Sequence, residues 1–310
     1  MSNDKIQISQ QDFADVFQDD LSEFVKTKIK NFDFLARMVS VRDRDMILLK
    51  IIKKLLDPQL VKAGKHRQDQ WEKGWTENLE AYIKHGKKSI IPRYFGKYDV
   101  VRWKQQFLNP ISANFEYNML AVIQYWLFDK YLRSLNSIYE FGCGTGHNLL
   151  RAREVNPLAQ LWGLDWARSS QEIIKRMSSE KSDPKLFTQN FDFLNPDPSF
   201  KLEKDSAIYT VAALEQTGTG YKPFIKYLLQ NKPRICVHIE PVAELLDLEN
   251  NLLDYLSVEY FKKRNYLSGF LDYLKDLEKR GKIKIHKAQR SFIGSLYIEG
   301  YSIIVWSPLS

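Results

Sequence analysis

The sequence predicts an α/β fold: a seven-stranded, mostly parallel, doubly wound sheet preceded by a helical N-terminal extension. Three observations carry this. Beyond Asn136, runs rich in β-branched and aromatic residues alternate with helical stretches, the signature of parallel βα units. The last two such runs are separated only by residues 292–299, too few for a helical crossover, so they should pair as an antiparallel hairpin. Before residue 110 the apolar residues recur instead at helical spacing. The chain is divided on this basis into a mainly helical extension, 1–109, and a sheet domain, 110–310.

Taken in order, Phe13, Val16, Phe17, Leu21, Phe24 and Val25 form one apolar series, Phe32, Phe34, Leu35 and Met38 a second, and residues 46–56 a third; two or three helices are implied. A polar stretch, 62–72, separates them from an aromatic segment, 71–103, punctuated by Gly74, Gly86, Pro92 and Gly96. After Pro110, SANFEYNMLAVIQYWLFDKYLRSL reads as one amphipathic helix ending near Leu135. Strands are placed at 137–142, 160–165, 185–191, 206–214, 234–240, 282–291 and 300–306. Helices fit between the first five, and a long helical stretch, 243–280, broken near Gly269, leads into the sixth.

The formal net charge of +8 is unevenly spread, for residues 51–135 hold 15 basic and 8 acidic side chains. Such an excess keeps an anionic partner under consideration, although runs such as Lys84-His85-Gly86-Lys87-Lys88 read first as solvated faces. The two cysteines, Cys143 and Cys236, fall in strand segments and read as small core residues of a reducing compartment. No Cys/His cluster has zinc spacing, so no metal is expected. The N-terminus lacks the unbroken apolar stretch of a signal peptide, and the longest apolar run, 119–128, falls short of the roughly 20 residues of a membrane span; a cytoplasmic protein is expected.

The segment SIYEFGCGTGHNLL carries the functional signal. Its strand includes Glu140 and is followed by Gly142, Gly144 and Gly146, with Cys143 inside the turn. Glycines at alternate positions let the chain bend sharply from strand to helix and let a ligand lie against bare backbone. A dinucleotide fingerprint would need glycine at position 147, which is His147. The pattern Glu140-x-Gly142-x-Gly144-x-Gly146 resembles motif I of class I methyltransferases, which bind S-adenosyl-L-methionine.

That resemblance covers about residues 110–310 and implies strand order 3-2-1-4-5-7-6 with strand seven antiparallel. It implies that Asp165, about 20 residues on at the end of the second strand, holds the ribose hydroxyls, with Trp166 beside the adenine. Asp192, after the third strand, would face the adenine amino group, with Phe193 in contact. The methionine carboxylate needs a cationic or hydroxyl partner from upstream; Arg102 and Tyr94 are the candidates, against the alternative of a packed aromatic segment with a surface arginine.

Methyl transfer asks the protein to align the acceptor and exclude water; a hydroxyl or protonated nitrogen acceptor also needs a base. The loop AALEQTGTGY supplies Glu215 and Tyr221, and the period of two puts His238 and Glu240 on one face of the fifth strand. Two readings stand together: His238 or Glu215 as base with Glu240 orienting, or His238 as a satisfied strand histidine with Glu215 near the methionine amine. His238 and Glu240 are too few to argue a metal. Leu214-Glu215-Gln216-Thr217 departs from the Asn/Asp-Pro-Pro-Tyr sequence of amino methyltransferases acting on DNA or protein glutamine. The expected partner is a small-molecule methyl acceptor for O- or N-methylation, with the extension as its cap. RNA or another anionic polymer is the alternative, a non-catalytic partner subunit and an aminopropyl transferase or nicotinamide enzyme are carried beside it, and the oligomeric state is left open.

Overall fold

The computed structural model describes residues 5–180 and 183–309, so the first four residues of the extension and Ser310 lie outside it. Strand β1 (Lys5–Gln7) is followed by helices α1 (Gln10–Phe17) and α2 (Glu23–Lys30), strand β2 (Leu35–Met38), and helices α3 (Val41–Leu56) and α4 (Gln68–His85). Serine side chains start the first three helices: Ser9, Ser22 and Ser40 each accept from the backbone N–H three residues on. Strands β3 (Val101–Trp103) and β4 (Gln106–Pro110) then lead to helix α5 (Phe115–Tyr131).

Three sequence expectations change here. The series Phe32 to Met38 was expected to be helical, yet Leu35, Ala36 and Arg37 pair with Gln7, Ile6 and Lys5, and Met38 pairs with Leu108. Paired neighbours far apart in sequence override a local apolar spacing. The polar stretch and aromatic segment contain a single helix, α4, which runs through Gly74 with open space around that residue. Helix α5 is not amphipathic: every residue from Met119 to Phe128 is buried, because the N-terminal helices pack on one side and the main sheet with its helices on the other.

The main sheet consists of β5 (Ser137–Phe141), β6 (Gln160–Asp165), β7 (Leu186–Asn190), β8 (Ala207–Val211), β9 (Ile235–Glu240), β10 (Ile283–Gln289) and, after the two-residue β11 (Ile293–Gly294), β12 (Ser302–Pro308). Between them lie α6 (His147–Val155), α7 (Arg168–Glu180), α8 (Lys222–Asn231), α9 (Leu252–Arg264) and α10 (Phe270–Lys279). Its order is β7-β6-β5-β8-β9-β12-β10, with β12 antiparallel to both neighbours. In chain order this is 3-2-1-4-5-7-6, as expected. Gly269 caps the start of α10 at φ 68°, which is where the long helical stretch was expected to break.

Alternate residues of each strand serve two cores. Ile138, Val237, Ile239 and Ile303 face one core, with α5, α6 and α7. Tyr139, Phe141, Ile208, Cys236 and Trp306 face the other, with α8 and α10. The extension is stitched into this body: β1, β2, β4, β3 and β11 form a second, antiparallel sheet, and Ile293 pairs with Trp103. The last strand of the N-terminal sheet therefore comes from the connection between β10 and β12, and the 109/110 division falls inside β4. Among the described residues no helix is long and apolar enough to cross a membrane.

Candidate functional site

The strand order reverses between β5 and β8, and a crevice opens at the carboxyl ends of these neighbours, where open α/β sheets hold their ligands. The loop after β5 forms its floor. Gly142 and Gly144 adopt φ values of 75° and 51°, and the N–H groups of Gly142 and Cys143 both donate to the Leu164 carbonyl oxygen of β6. A Cβ on Gly142 would meet Ala213 at 2.4 Å, and one on Gly144 would meet the Trp75 ring at 2.8 Å. Both positions must stay bare. Gly146, at φ 72°, serves differently: a Cβ there would meet Ile174 of α7 at 2.2 Å, so this glycine lets helix and strand pack and does not line the cleft.

Asp165, at the tip of β6, is brought to this floor. Its carboxylate accepts from the N–H of Gly144 through Oδ2 and of Ala167 through Oδ1, both at 2.9 Å. Burial nevertheless raises its pKa to about 6. Trp166, Phe191, Phe193 and Leu194 continue the wall on this side; Val211, Ala212, Ala213, Gln216 and Thr217 form the wall opposite. The cleft and its solvent-open mouth together hold about 790 Å³ of empty space. Among the described residues no lysine or arginine lines it.

Helix α4 roofs the cleft, which the sequence reading missed. Trp71 and Trp75, one turn apart, stack with ring centroids 5.8 Å apart, and both line the cleft. Glu72, between them, accepts from the N–H groups of Arg168 at 2.7 Å and Ser169 at 2.9 Å, so a carboxylate caps the positive end of α7. On the other flank Arg67 Nη1 donates to Gln216 Oε1 at 3.3 Å. The helix thus fastens to both walls. The Trp-x-x-x-Trp spacing was a usable signal, obscured by Gly74.

Thr145, His147 and Asn148 also line the cleft. The Thr145 hydroxyl donates to the Ile90 carbonyl oxygen at 2.7 Å, so at 3.1 Å His147 Nδ1 must supply the proton to Thr145 Oγ1. His147 Nε2 is then a bare acceptor, buried and without a partner, and burial pulls the ring's pKa well down. Tyr94 lines the cleft, as one of the two upstream candidates.

The other candidate, Arg102, does not. It is buried and donates to the Leu253 and Leu296 carbonyl oxygens and to Ser257 Oγ, which makes it a tie between β3, α9 and the β11 region. Asp192 is likewise turned away: its Oδ1 accepts from the Leu194 N–H at 2.8 Å, closing a turn in which short acids favour their own backbone. Glu140 lies beneath the floor, accepting from Asn148 Nδ2 at 2.7 Å and Tyr209 Oη at 3.0 Å. Burial raises its pKa to about 8. It supports a lining residue without lining the cleft itself.

Three of the four catalytic candidates are also structural. The indole N–H of Trp306 donates to His238 Nε2 at 3.0 Å, which places the imidazole proton on Nδ1, 2.9 Å from Thr210 Oγ1. His238 is fully buried, and desolvation pulls its pKa to about 3, so it is a satisfied strand histidine. Glu240 shares its face, as expected, but accepts from the N–H groups of Ala213, Leu214 and Glu215 at 3.0–3.1 Å and so shapes the loop after β8. The Tyr221 hydroxyl donates to the Gly269 carbonyl oxygen at 2.7 Å. Glu215 alone stays beside the cleft: its Oε1 accepts from the cleft-lining Gln216 at 2.7 Å, and burial followed by the nearby Glu240 raises its pKa to about 8. Among the described residues no group of three or more His, Cys, Asp or Glu is arranged to hold a metal.

No protein-family model and no curated protein matches the chain. Among solved structures it is similar to an O-methyltransferase from neocarzinostatin biosynthesis, at 12% identity and a TM-score of 0.42 over 77% of this chain and 69% of that one. It is also similar to the magnesium protoporphyrin IX methyltransferase of Synechocystis PCC 6803, at 15% identity and a TM-score of 0.45 over 63% and 83%. A geranyl diphosphate methyltransferase gives 11% identity and a TM-score of 0.44 over 64% and 91%.

Proposed function

We propose that this chain is an S-adenosylmethionine-dependent methyltransferase acting on a small molecule. The observation that carries the reading is the joint between Gly144 and Asp165: a bare, left-handed turn and a carboxylate, from successive strand tips, share one hydrogen bond at the cleft floor. The residues fit the cofactor. Gly142 and Gly144 present bare backbone at the cleft floor, with Ala213 and the Trp75 ring packed against them, Asp165 keeps acceptor capacity for sugar hydroxyls, and Trp166 and Phe193 offer faces for the base. When bound, the cofactor supplies a methyl group on a positively charged sulfur.

The chain's own part is alignment and exclusion of water. Trp71 and Trp75 cover the cleft and Glu72 and Arg67 pin their helix, so the extension acts as the cap over the acceptor. Glu215, bonded to the cleft-lining Gln216, is the carboxyl nearest to hand for the proton of a hydroxyl or amine acceptor, and with its pKa raised to about 8 it would serve as a base only in its ionised fraction, which grows as pH rises. Incubation of the protein with isotopically labelled S-adenosylmethionine and fractionated cell extract tests the reading. Label should appear in low-molecular-mass products; label confined to RNA or protein, or none transferred, counts against it.

A further inference from the structure

Behind Gln216 the cleft wall contains an unusual balance of charge. Arg67, buried to 9% exposure, donates through Nε to Gln70 Oε1 at 3.0 Å and through Nη1 to Gln216 Oε1 at 3.3 Å. Its guanidinium lies 5.0 Å from the centre of the Trp71 ring. Gln216 passes the connection to Glu215, and on the far side Arg264 Nη2 donates to the Tyr266 hydroxyl at 3.2 Å. Arg264 Nε is buried without a partner. The two arginines are close enough to repel one another, and both feel the charge of Glu215.

Neither arginine forms an ion pair with an acid among the described residues. Glu215 is a charge neighbour of both. Even fully ionised it would offset one guanidinium of two, leaving a positive charge behind the cleft wall. Such a charge is costly unless something pairs with it. The place is not arbitrary. Three chain segments are tied together there: Ala63 N–H donates to the Arg264 carbonyl oxygen at 2.6 Å, Asn265 Nδ2 donates to the Ala63 carbonyl oxygen at 3.1 Å, and Gly218 packs against Asn265.

We infer that Arg67 and Arg264 form an anion subsite that anchors a carboxylate or phosphate group of the methyl acceptor, beside Glu215. The inference rests on the methyltransferase reading and narrows it: the acceptor is a small acid whose anionic end is held by the wall formed by α4 and the end of α9. Planar guanidinium forks suit both oxyanions, so the chemistry they share is what the site recognises.

The test is calorimetric titration of the full chain, saturated with S-adenosylhomocysteine, with benzoate, phenyl phosphate, benzamide and benzylamine. Saturation is measured first, so failure of the cofactor reading shows itself before any anion is added. Benzoate or phenyl phosphate should bind at least tenfold more tightly than the neutral and cationic probes, and their order distinguishes carboxylate from phosphate. Arg67→Gln and Arg264→Gln should each weaken the preferred anion tenfold or more; Arg264→Gln, whose side chain does not pin the roof, should leave affinity for S-adenosylhomocysteine within twofold, and Arg264→Lys should retain part of the anion binding. Equal binding of benzoate and benzamide, or folded variants that bind the anion as wild type does, would overturn the subsite with the cofactor site intact.

Discussion

The N–H of Gly144 donates to the Asp165 carboxylate at 2.9 Å, so the turn after β5 is held in place by the tip of β6. On the proposed function, a substitution at Asp165 therefore removes a ligand contact and loosens the floor together. Asp165→Ala should weaken S-adenosylhomocysteine at least tenfold by calorimetry, and Asp165→Asn should do less harm to stability than to binding, since an amide oxygen still accepts from one N–H. Retained affinity in both variants contradicts the assignment.

The same carboxylate gives binding a pH dependence. Burial raises Asp165 to about 6, and hydroxyl donors favour its charged form, so affinity should be full above that value and fall as pH drops through it. Between pH 7.5 and pH 5 the dissociation constant for S-adenosylhomocysteine should rise by about tenfold, one pH unit of linked protonation. A flat profile would show that the carboxylate does not touch the ligand.

Two glycines of one motif should fail differently. Alanine at Gly144 brings a Cβ against the Trp75 ring in the cleft, whereas alanine at Gly146 brings one against Ile174 in the core. Each also carries the strain of a left-handed backbone, about 1 kcal/mol. Gly144→Ala should lose mainly affinity and Gly146→Ala mainly stability, read by calorimetry and by denaturant unfolding on the same samples.

His238 should prove to be a core residue. His238→Ala leaves the Trp306 N–H without its acceptor and removes the Nδ1–H that Thr210 Oγ1 accepts, and should cost about 2–4 kcal/mol of stability, with cofactor affinity unchanged. Because its folded pKa is lowered to about 3, the wild type gains stability as pH rises between that value and the ordinary 6.5, and loses it on acidification. Thermal melts across this window should show a shallower acid loss in the variant.

Arg290 joins the β10–β12 connection to α9 through paired bonds of 2.6–3.0 Å to Asp254 and Glu299, both nearly fully buried. Arg290→Ala strands two acids in the interior and should destabilise the chain by about 3–5 kcal/mol in urea unfolding. A loss below 1 kcal/mol would mean the cluster is hydrated.

The main sheet was legible because each of its strands announces itself: β-branched or aromatic runs, turn residues between them, and a final gap too short for a helix. The small sheet was not. Its strands of two to five residues pair across as many as 190 positions, as Trp103 does with Ile293, and no local pattern records such a partner. The floor of the cleft was legible for a related reason, since Gly142, Gly144 and Asp165 are constrained by backbone geometry that only certain residues satisfy. His238, Glu240 and Tyr221 misled because a period of two fixes which face a residue takes and says nothing of whether that face meets ligand or core. Arg102 and Asp192 found partners in the protein itself, through contacts that only the tertiary arrangement creates.

The most direct measurement is calorimetric titration of the wild-type chain with S-adenosylhomocysteine and, separately, with NAD. The account predicts a single site for the sulfur nucleoside, of micromolar or better affinity on the scale usual for cofactors, abolished or sharply reduced in Asp165→Ala, and little or no heat with the dinucleotide. Tighter binding of NAD, or no binding of S-adenosylhomocysteine to folded protein, contradicts it.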